Sequence, residues 1–285
     1  MDLHVLTLAG VVAVAIASGA AARRLGQPAI LGELVAGIIV GPALLGLFEP
    51  DVALSIIGQL GVVLLMFYIG LHLDLDDMRR ASNAGLLSAL GGFVVPAAAG
   101  FFVMRWFGSD LTEALFVALA MGVTALATKS RILLDLELLT TRIGHVLMAG
   151  AVYADVAAVV LFTALLGAAA SGSIRLSVVS AVGAEAAAFL AISAAIGIFV
   201  IPALSRRLGT DRVSAGTRFT IVMFVALAFG GAAEFAGLHA ILGTFFAGLF
   251  FGAGGLPHHA RQELQKAAHS ISIGFLAPVF FVVAG

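Results

Sequence analysis

The stretch Ile143–Leu166 reads IGHVLMAGAVYADVAAVVLFTALL, an apolar run with one carboxylate, Asp155, near its middle. A transmembrane helix needs about 20 predominantly apolar residues, and this run is long enough. An acid at mid-depth costs roughly 2.5–3.5 kcal/mol even on lenient insertion scales, so such residues mark ion or proton sites by default. A fold for this chain must therefore place Asp155 inside a helix bundle, against groups that use its charge.

The rest of the sequence is of the same kind. Of its 285 residues, 61% are hydrophobic and only 11% charged, where soluble domains carry about 25% charged residues. The mean hydropathy is +1.14. Strand-period alternation is absent and the apolar runs are long, so the spans are helices and not barrel strands. The fold class is an all-α polytopic membrane protein, with the lipid bilayer as its first partner. A net charge of −1 carries no signal for nucleic acid, and the absence of cysteine excludes disulfides, thiol chemistry and Cys-ligated metal. Met1–Ala22 lacks the shape of a cleaved signal peptide, because Arg23 and Arg24 follow the apolar run instead of preceding it.

Spans of bilayer length fall at 3–22, 28–48, 54–73, 83–106, 111–128, 142–169, 176–204, 215–236, 238–253 and 263–285, which predicts about ten transmembrane helices. Lys and Arg concentrate in the odd-numbered connections: Arg23, Arg24, Arg79, Arg80, Lys129, Arg131, Arg142, Arg206, Arg207, Arg212, Arg218, Arg261 and Lys266. The even-numbered ones hold Arg105 and Arg175. Basic residues mark cytoplasmic connections, so a multi-pass protein of a cell membrane is expected, a bacterial inner membrane, with its N-terminus outside.

Two segments repeat. Leu31–Gly41 reads LGELVAGIIVG and Leu242–Gly252 reads LGTFFAGLFFG, matching at Leu, Gly, Ala, Gly and Gly. Gly37 with Gly41, and Gly248 with Gly252, form GxxxG steps that allow close helix packing. A looser echo pairs LLMFYIG (Leu64–Gly70) with APVFFVVAG (Ala277–Gly285). The copies are the second and third spans against the ninth and tenth, an offset of seven, and an odd offset makes them cross the membrane in opposite directions, as inverted repeats do. The organisation expected is a first repeat over 1–170 (scaffold helices 1–3, core helices 4–6), a linker helix over 171–210 and an incomplete second repeat over 211–285 (scaffold helices 8–10). Counterparts of the fourth to sixth helices are missing, which reads as truncation.

Asp155 leads the candidate residues. A carboxylate that takes either a proton or a small cation sets the two in competition, and competition suffices for exchange. In Met121–Arg131 (MGVTALATKSR), Thr124 and Thr128 interrupt an apolar run. Threonine hydroxyls and unwound carbonyls coordinate desolvated cations, and threonines in membrane helices also bond back to carbonyls one turn earlier; both readings stay open. Glu33 reads as an interfacial acid and Glu185 as a structural or lipid-interface group. His72 also reads as interfacial. The adjacent His258 and His259 lack a ligand partner at metal spacing, so no metal is expected. No phosphate-binding glycine loop, nucleophile elbow or HExxH motif occurs, and an enzyme is not expected.

These residues together resemble the membrane domain of monovalent cation:proton antiporters, in the branch of sodium/proton exchangers, potassium efflux systems and plant cation/proton exchangers. Gly32–Pro42 (GELVAGIIVGP) is similar to that family's early glycine-rich helix. Leu64–Asp74 is similar to its third helix, Val123–Leu133 (VTALATKSRIL) with Leu138–Gly144 to its broken helix and following loop, and Gly237–Gly248 and Pro278–Gly285 to later segments. Tyr153-Ala154-Asp155 falls where the family has its ion-binding acid. The resemblance implies a thirteen-helix homodimer with a dimer-forming scaffold and a mobile core in which two broken helices cross beside the acid. It implies that Asp155 is the proton/cation carboxylate and that Thr124 lies in the unwound part of the first broken helix; from their positions, Thr128, Lys129 and Tyr153 are candidates for the supporting groups around them. Na⁺ or K⁺ and H⁺ would be transported species and no cofactor is implied. Three departures stand out: Ala154 replaces a common Asp, Asn or Gln; in the broken helix Ala127 replaces a frequent Pro and Lys129 places a charge where the pattern is apolar; and the sequence stops before the last three helices expected, which carry the second broken helix. With one acid, electroneutral exchange is expected; pairing of Asp155 with a Lys or Arg of another helix, Lys129 among them, which would lock the bundle, stays open as the alternative. The alternatives are a non-transporting relative acting in membrane assembly or regulation, and a channel-like or solute carrier on the same fold.

Overall fold

The structure, a computed structural model, describes residues 4–48, 51–171, 176–210 and 213–285. Leu3, Arg175, Arg212 and position 211, each used in the sequence reading, lie outside them. Thirteen helices run in order among the described residues: α1 His4–Arg24, α2 Ala29–Val40, α3 Val52–His72, α4 Leu75–Trp106, α5 Leu111–Gly122, α6 Leu126–Asp135, α7 Arg142–Ser171, α8 Leu176–Ala195, α9 Ile201–Leu208, α10 Ala215–Phe235, α11 Ala240–Ala253, α12 His258–Ile271 and α13 Ala277–Ala284. There is no strand among the described residues. Eight stretches are long and apolar enough to cross a membrane, and α2 and α11 are shorter apolar helices. The protein is an all-α polytopic membrane protein.

The helix ends differ from the predicted spans for local reasons. α2 stops at Val40, not residue 48, because Gly41 turns extended (φ −77°, ψ −173°) and Pro42 supplies no backbone donor to continue the helix. α4 starts at Leu75, not 83: its first two turns are polar, and Asp74 caps them by accepting from the Asp76 and Asp77 amides. The expected span 111–128 is two helices, with Val123–Ala125 unwound between them. α8 runs into α9, and α12 into α13, through π-helical turns at Ile196–Val200 and Ser272–Leu276. A proline follows each turn, Pro202 and Pro278. Proline removes one backbone bond and crowds the carbonyl a turn earlier, which widens the helix there.

Packing divides the helices into two groups. α1, α2 and α3 pack with α10, α11, α12 and α13, and α3 runs through their centre against α11 and α13. α4, α5 and α7 pack on one another. α6 touches α7 from the second group and α2 and α3 from the first.

The first group is held by backbone laid on backbone. A Cβ at Gly37 of α2 would run into the Val282 carbonyl and the Gly285 Cα, and one at Gly248 of α11 would run into the Phe67 carbonyl and the Gly70 Cα. In the repeated segments Gly37 corresponds to Gly248, Val282 to Phe67 and Gly285 to Gly70. The pattern continues outward: Gly32 lies on the Ser18 carbonyl of α1, and Gly243 on the Phe229 carbonyl of α10. Gly252 lies against Leu71 of α3. Gly41 makes no such approach. Its nearest obstacle is the Gly37 carbonyl of its own helix, so it is the cap of α2 and not a packing residue.

In the second group, α4 and α7 meet through Gly85 and Gly150, whose absent side chains let the two backbones touch, and through a Ser82–Tyr153 hydroxyl hydrogen bond. Three outcomes follow for stability in detergent. Gly248→Ala must push on a backbone carbonyl that has nowhere to go, and should lower unfolding free energy by at least the usual overpacking cost of about 1–3 kcal/mol. Gly92→Ala, in open space on α4, should be neutral or stabilising by up to about 1 kcal/mol. Ser82→Ala and Tyr153→Phe should each cost about 0.5–1.5 kcal/mol, and the double variant no more than either alone, read by thermal unfolding.

Candidate functional site

The site is built where a broken helix meets an unbroken one. α5 ends at Gly122 and α6 begins at Leu126, with Val123 and Ala125 in extended conformations on either side of Thr124. The ends of α5 and α6 leave carbonyls and amides without intrahelical partners, with partial charges of opposite sign facing the same gap. No side chain caps α6. An unwound pair of helix ends at membrane depth is tolerated where protein or a water-filled cavity surrounds it.

Asp155 lies mid-way along the 30-residue α7. Both α5 and α6 pack on α7. A cleft of about 580 Å³ between α5 and α7 is lined by Val123 on one wall and Ala158 and Val159 on the other. Val123 adjoins Thr124, and Ala158 is about one turn beyond Asp155, so the gap and the carboxylate share one neighbourhood. Lys129, on the first turn of α6, lies within electrostatic reach of Asp155. Among the described residues no cation comes within 4 Å of the Asp155 carboxylate and no donor hydrogen-bonds to it. Asp155 therefore carries a counter-charge at a distance and free oxygens.

The other expected residues divide. Thr124 is in the gap and Thr128 on α6; among the described residues neither hydroxyl bonds to a carbonyl one turn earlier, although Thr163 of α7 does so to Val159 at 2.9 Å. Tyr153 is two residues from Asp155, about 200° around the helix, and its hydroxyl goes to Ser82 of α4. It holds α4 to α7 instead of supporting the carboxylate. Ala154 is buried and brings no polar group. Glu185 is exposed on α8.

Glu33 is not an interfacial acid. It is 2% exposed and Arg131 of α6 is 3% exposed. The Arg131 guanidinium approaches the Glu33 carboxylate at 3.9 Å and that of Asp135 at 3.2 Å. The sequence holds no local signal for this pairing, because Glu33 on α2 and Arg131 on α6 are far apart along the chain. Helical spacing alone would have put Arg131 and Asp135, four residues apart, on one face.

The chain spans about two thirds of the length of the bacterial relatives it matches. It is 31% identical to the Na(+)/H(+)-K(+) antiporter GerN of Bacillus cereus over 262 residues, covering 92% of this chain and 66% of that one. It is 27% identical to the high-affinity Na(+)/H(+) antiporter NhaS3 of Synechocystis, over 94% of this chain and 64% of that one. Against cation/H(+) antiporter 18 of Arabidopsis thaliana the identity is 32%, over 92% of this chain and 34% of the plant protein. The model of the transmembrane sodium/hydrogen exchanger family matches residues 11–285. A match over nearly the whole chain, on a fold of this kind, makes the protein a member of the transmembrane sodium/hydrogen exchanger family.

Proposed function

We propose that this chain works in secondary active transport, exchanging a monovalent cation, Na⁺ or K⁺, for protons through the single mid-membrane carboxylate of Asp155. The observation that carries the reading is the placement of Asp155 beside the unwound stretch around Thr124, with its oxygens uncommitted and a lysine at a distance. A carboxylate, threonine hydroxyls and free helix-end carbonyls are the oxygen donors that a dehydrated alkali cation needs. A proton and a cation that compete for one carboxylate cannot both be carried at once, and that exclusion couples their fluxes. With Ala154 beside it there is one acid for the cycle, which favours electroneutral exchange.

The same reading takes α1–α3 and α10–α13 as a scaffold and α4–α7 as a core, with residues 171–210 as linker. Equivalent glycine contacts in the segments around Gly37 and Gly248 support descent of the scaffold from an inverted repeat. A homodimer through the scaffold, and an external N-terminus, complete the proposal.

One observation favours the second reading, a relative that assembles in the membrane without transporting. Lys129 stands in the field of Asp155, where it can neutralise the charge that exchange needs. Vesicles containing the purified chain and a trapped pH dye decide between the two. Under an imposed Na⁺ or K⁺ gradient, exchange should produce a pH change that Asp155→Asn abolishes and Asp155→Glu retains in part. An equal rate in Asp155→Asn removes Asp155 from the mechanism. No signal with either cation in the unaltered chain supports the assembly reading.

A further inference from the structure

α6 is a ten-residue helix, and it carries two cations on opposite faces. Lys129 and Arg131 are two residues apart, about 200° around the helix. Lys129 looks toward Asp155 of α7. Arg131 looks toward Glu33 of α2 and is braced from below by Asp135, one turn on. α6 also touches both groups of helices, through α7 on one side and α2 and α3 on the other.

The Glu33 end of this contact is sealed. α1 crosses α2 at Gly32, whose missing side chain lets the Ser18 carbonyl sit on it. A Cβ at Gly19 of α1 would come within 3.3 Å of the Glu33 carboxylate. The carboxylate therefore lies under α1, away from lipid and bulk water, with Arg131 ahead of it and Arg23 of α1 in electrostatic range. Both acids of the cluster, Glu33 and Asp135, are engaged by Arg131.

The cluster is not an efficient source of stability. Oε2 of Glu33, Oδ2 of Asp135, and Nε and Nη1 of Arg131 are buried without a hydrogen-bond partner. Buried ion pairs seldom repay their desolvation, and their best-attested use is to fix one arrangement of packed elements over others. Ser130, between Lys129 and Arg131, adds a weak contact from its hydroxyl to the Met66 sulfur of α3 at 3.4 Å. It orients the same helix without a second charge.

We propose that Arg131 is a positioning residue: gripped by Glu33 and Asp135, it pins α6 against α2 and so sets where Thr124 and Lys129 stand relative to Asp155. The proposal rests on the reading of Asp155 as the exchange site. Leu126, Ala127 and Leu133 seat α6 in the core, the Arg131 contacts fix which way it faces, and its N-terminal turn borders the gap. Loss of the grip lets that turn shift, which moves Thr124 and Lys129 relative to the carboxylate and weakens the oxygen set offered to the cation.

The test uses the absence of cysteine from the chain. A single cysteine is placed at Ala125, in the gap, and its labelling by a small maleimide is timed in the reconstituted full chain. Glu33→Gln and Arg131→Gln should each change the labelling rate several-fold. The double variant should match the singles, and Arg131→Lys should return toward the parent rate. In exchange assays the same variants should raise the apparent KM for the cation more than they lower the maximal rate. If Arg131→Gln does not fold, Glu33→Gln and the swapped pair Glu33→Arg with Arg131→Glu carry the test. Equal labelling rates in folded Glu33→Gln and parent protein overturn the positioning role. Labelling reads the position of α6 whether or not the chain transports, so a failure of exchange and a failure of the clamp are told apart.

Discussion

Backbone laid directly on backbone is the constraint on which the rest of this structure depends. Inside a bilayer the lipid tails are as apolar as the side chains, so helices gain little from hydrophobic burial and hold together by close packing. Gly37, Gly70 and Gly248 remove the side chains that would keep α2, α3, α11 and α13 apart. The four helices cross where an alanine would meet a carbonyl oxygen. The crossing is rigid because a carbonyl in a helix cannot step aside, whereas a flexible side chain can. A fixed scaffold gives α6 something to be held against.

The site then follows from one interruption. Had α5 continued through Thr124 into α6, every backbone group there would be bonded within the helix, and Asp155 would face an apolar cylinder. The break at Val123–Ala125 leaves the helix-end carbonyls and amides there without intrahelical partners, and both α5 and α6 pack on α7. It also frees α6 to be positioned separately, with Lys129 on one face and Arg131 on the other. The two charges divide the work: one bears on the carboxylate and the other on the scaffold. A buried cation that met Asp155 directly would lock it. Lys129, in electrostatic reach without closing to within 4 Å, leaves the oxygens open.

Much of this was legible in the residues. Long apolar runs marked the membrane class, and the position of Asp155 in its run singled it out because an isolated acid at that depth is costly. The recurrence of LGELVAGIIVG as LGTFFAGLFFG pointed to the helices whose glycines make matching contacts. Gly41, followed by Pro42, ends α2, and a GxxxG step alone does not show whether its second glycine packs or caps. The start of α4 was missed because an apolar-run criterion ignores a polar first turn, and the cap at Asp74 was not weighed. Glu33 was misjudged because burial of an acid depends on what another helix brings to it. Arg131 lies far away in sequence, and no periodicity links the two. The direction of Tyr153 was legible in principle, since residues two apart on a helix point to opposite sides.

The most direct measurement of the central claim, that a proton and a cation share the Asp155 carboxylate, is equilibrium binding of radioactive Na⁺ or a K⁺ analogue to the purified protein across pH. If they share one group, linkage requires the cation affinity to fall in proportion as the proton concentration rises through the acid range. The dependence should vanish in Asp155→Asn together with the binding. Cation binding that is indifferent to pH, or that survives unchanged in Asp155→Asn, would contradict the account.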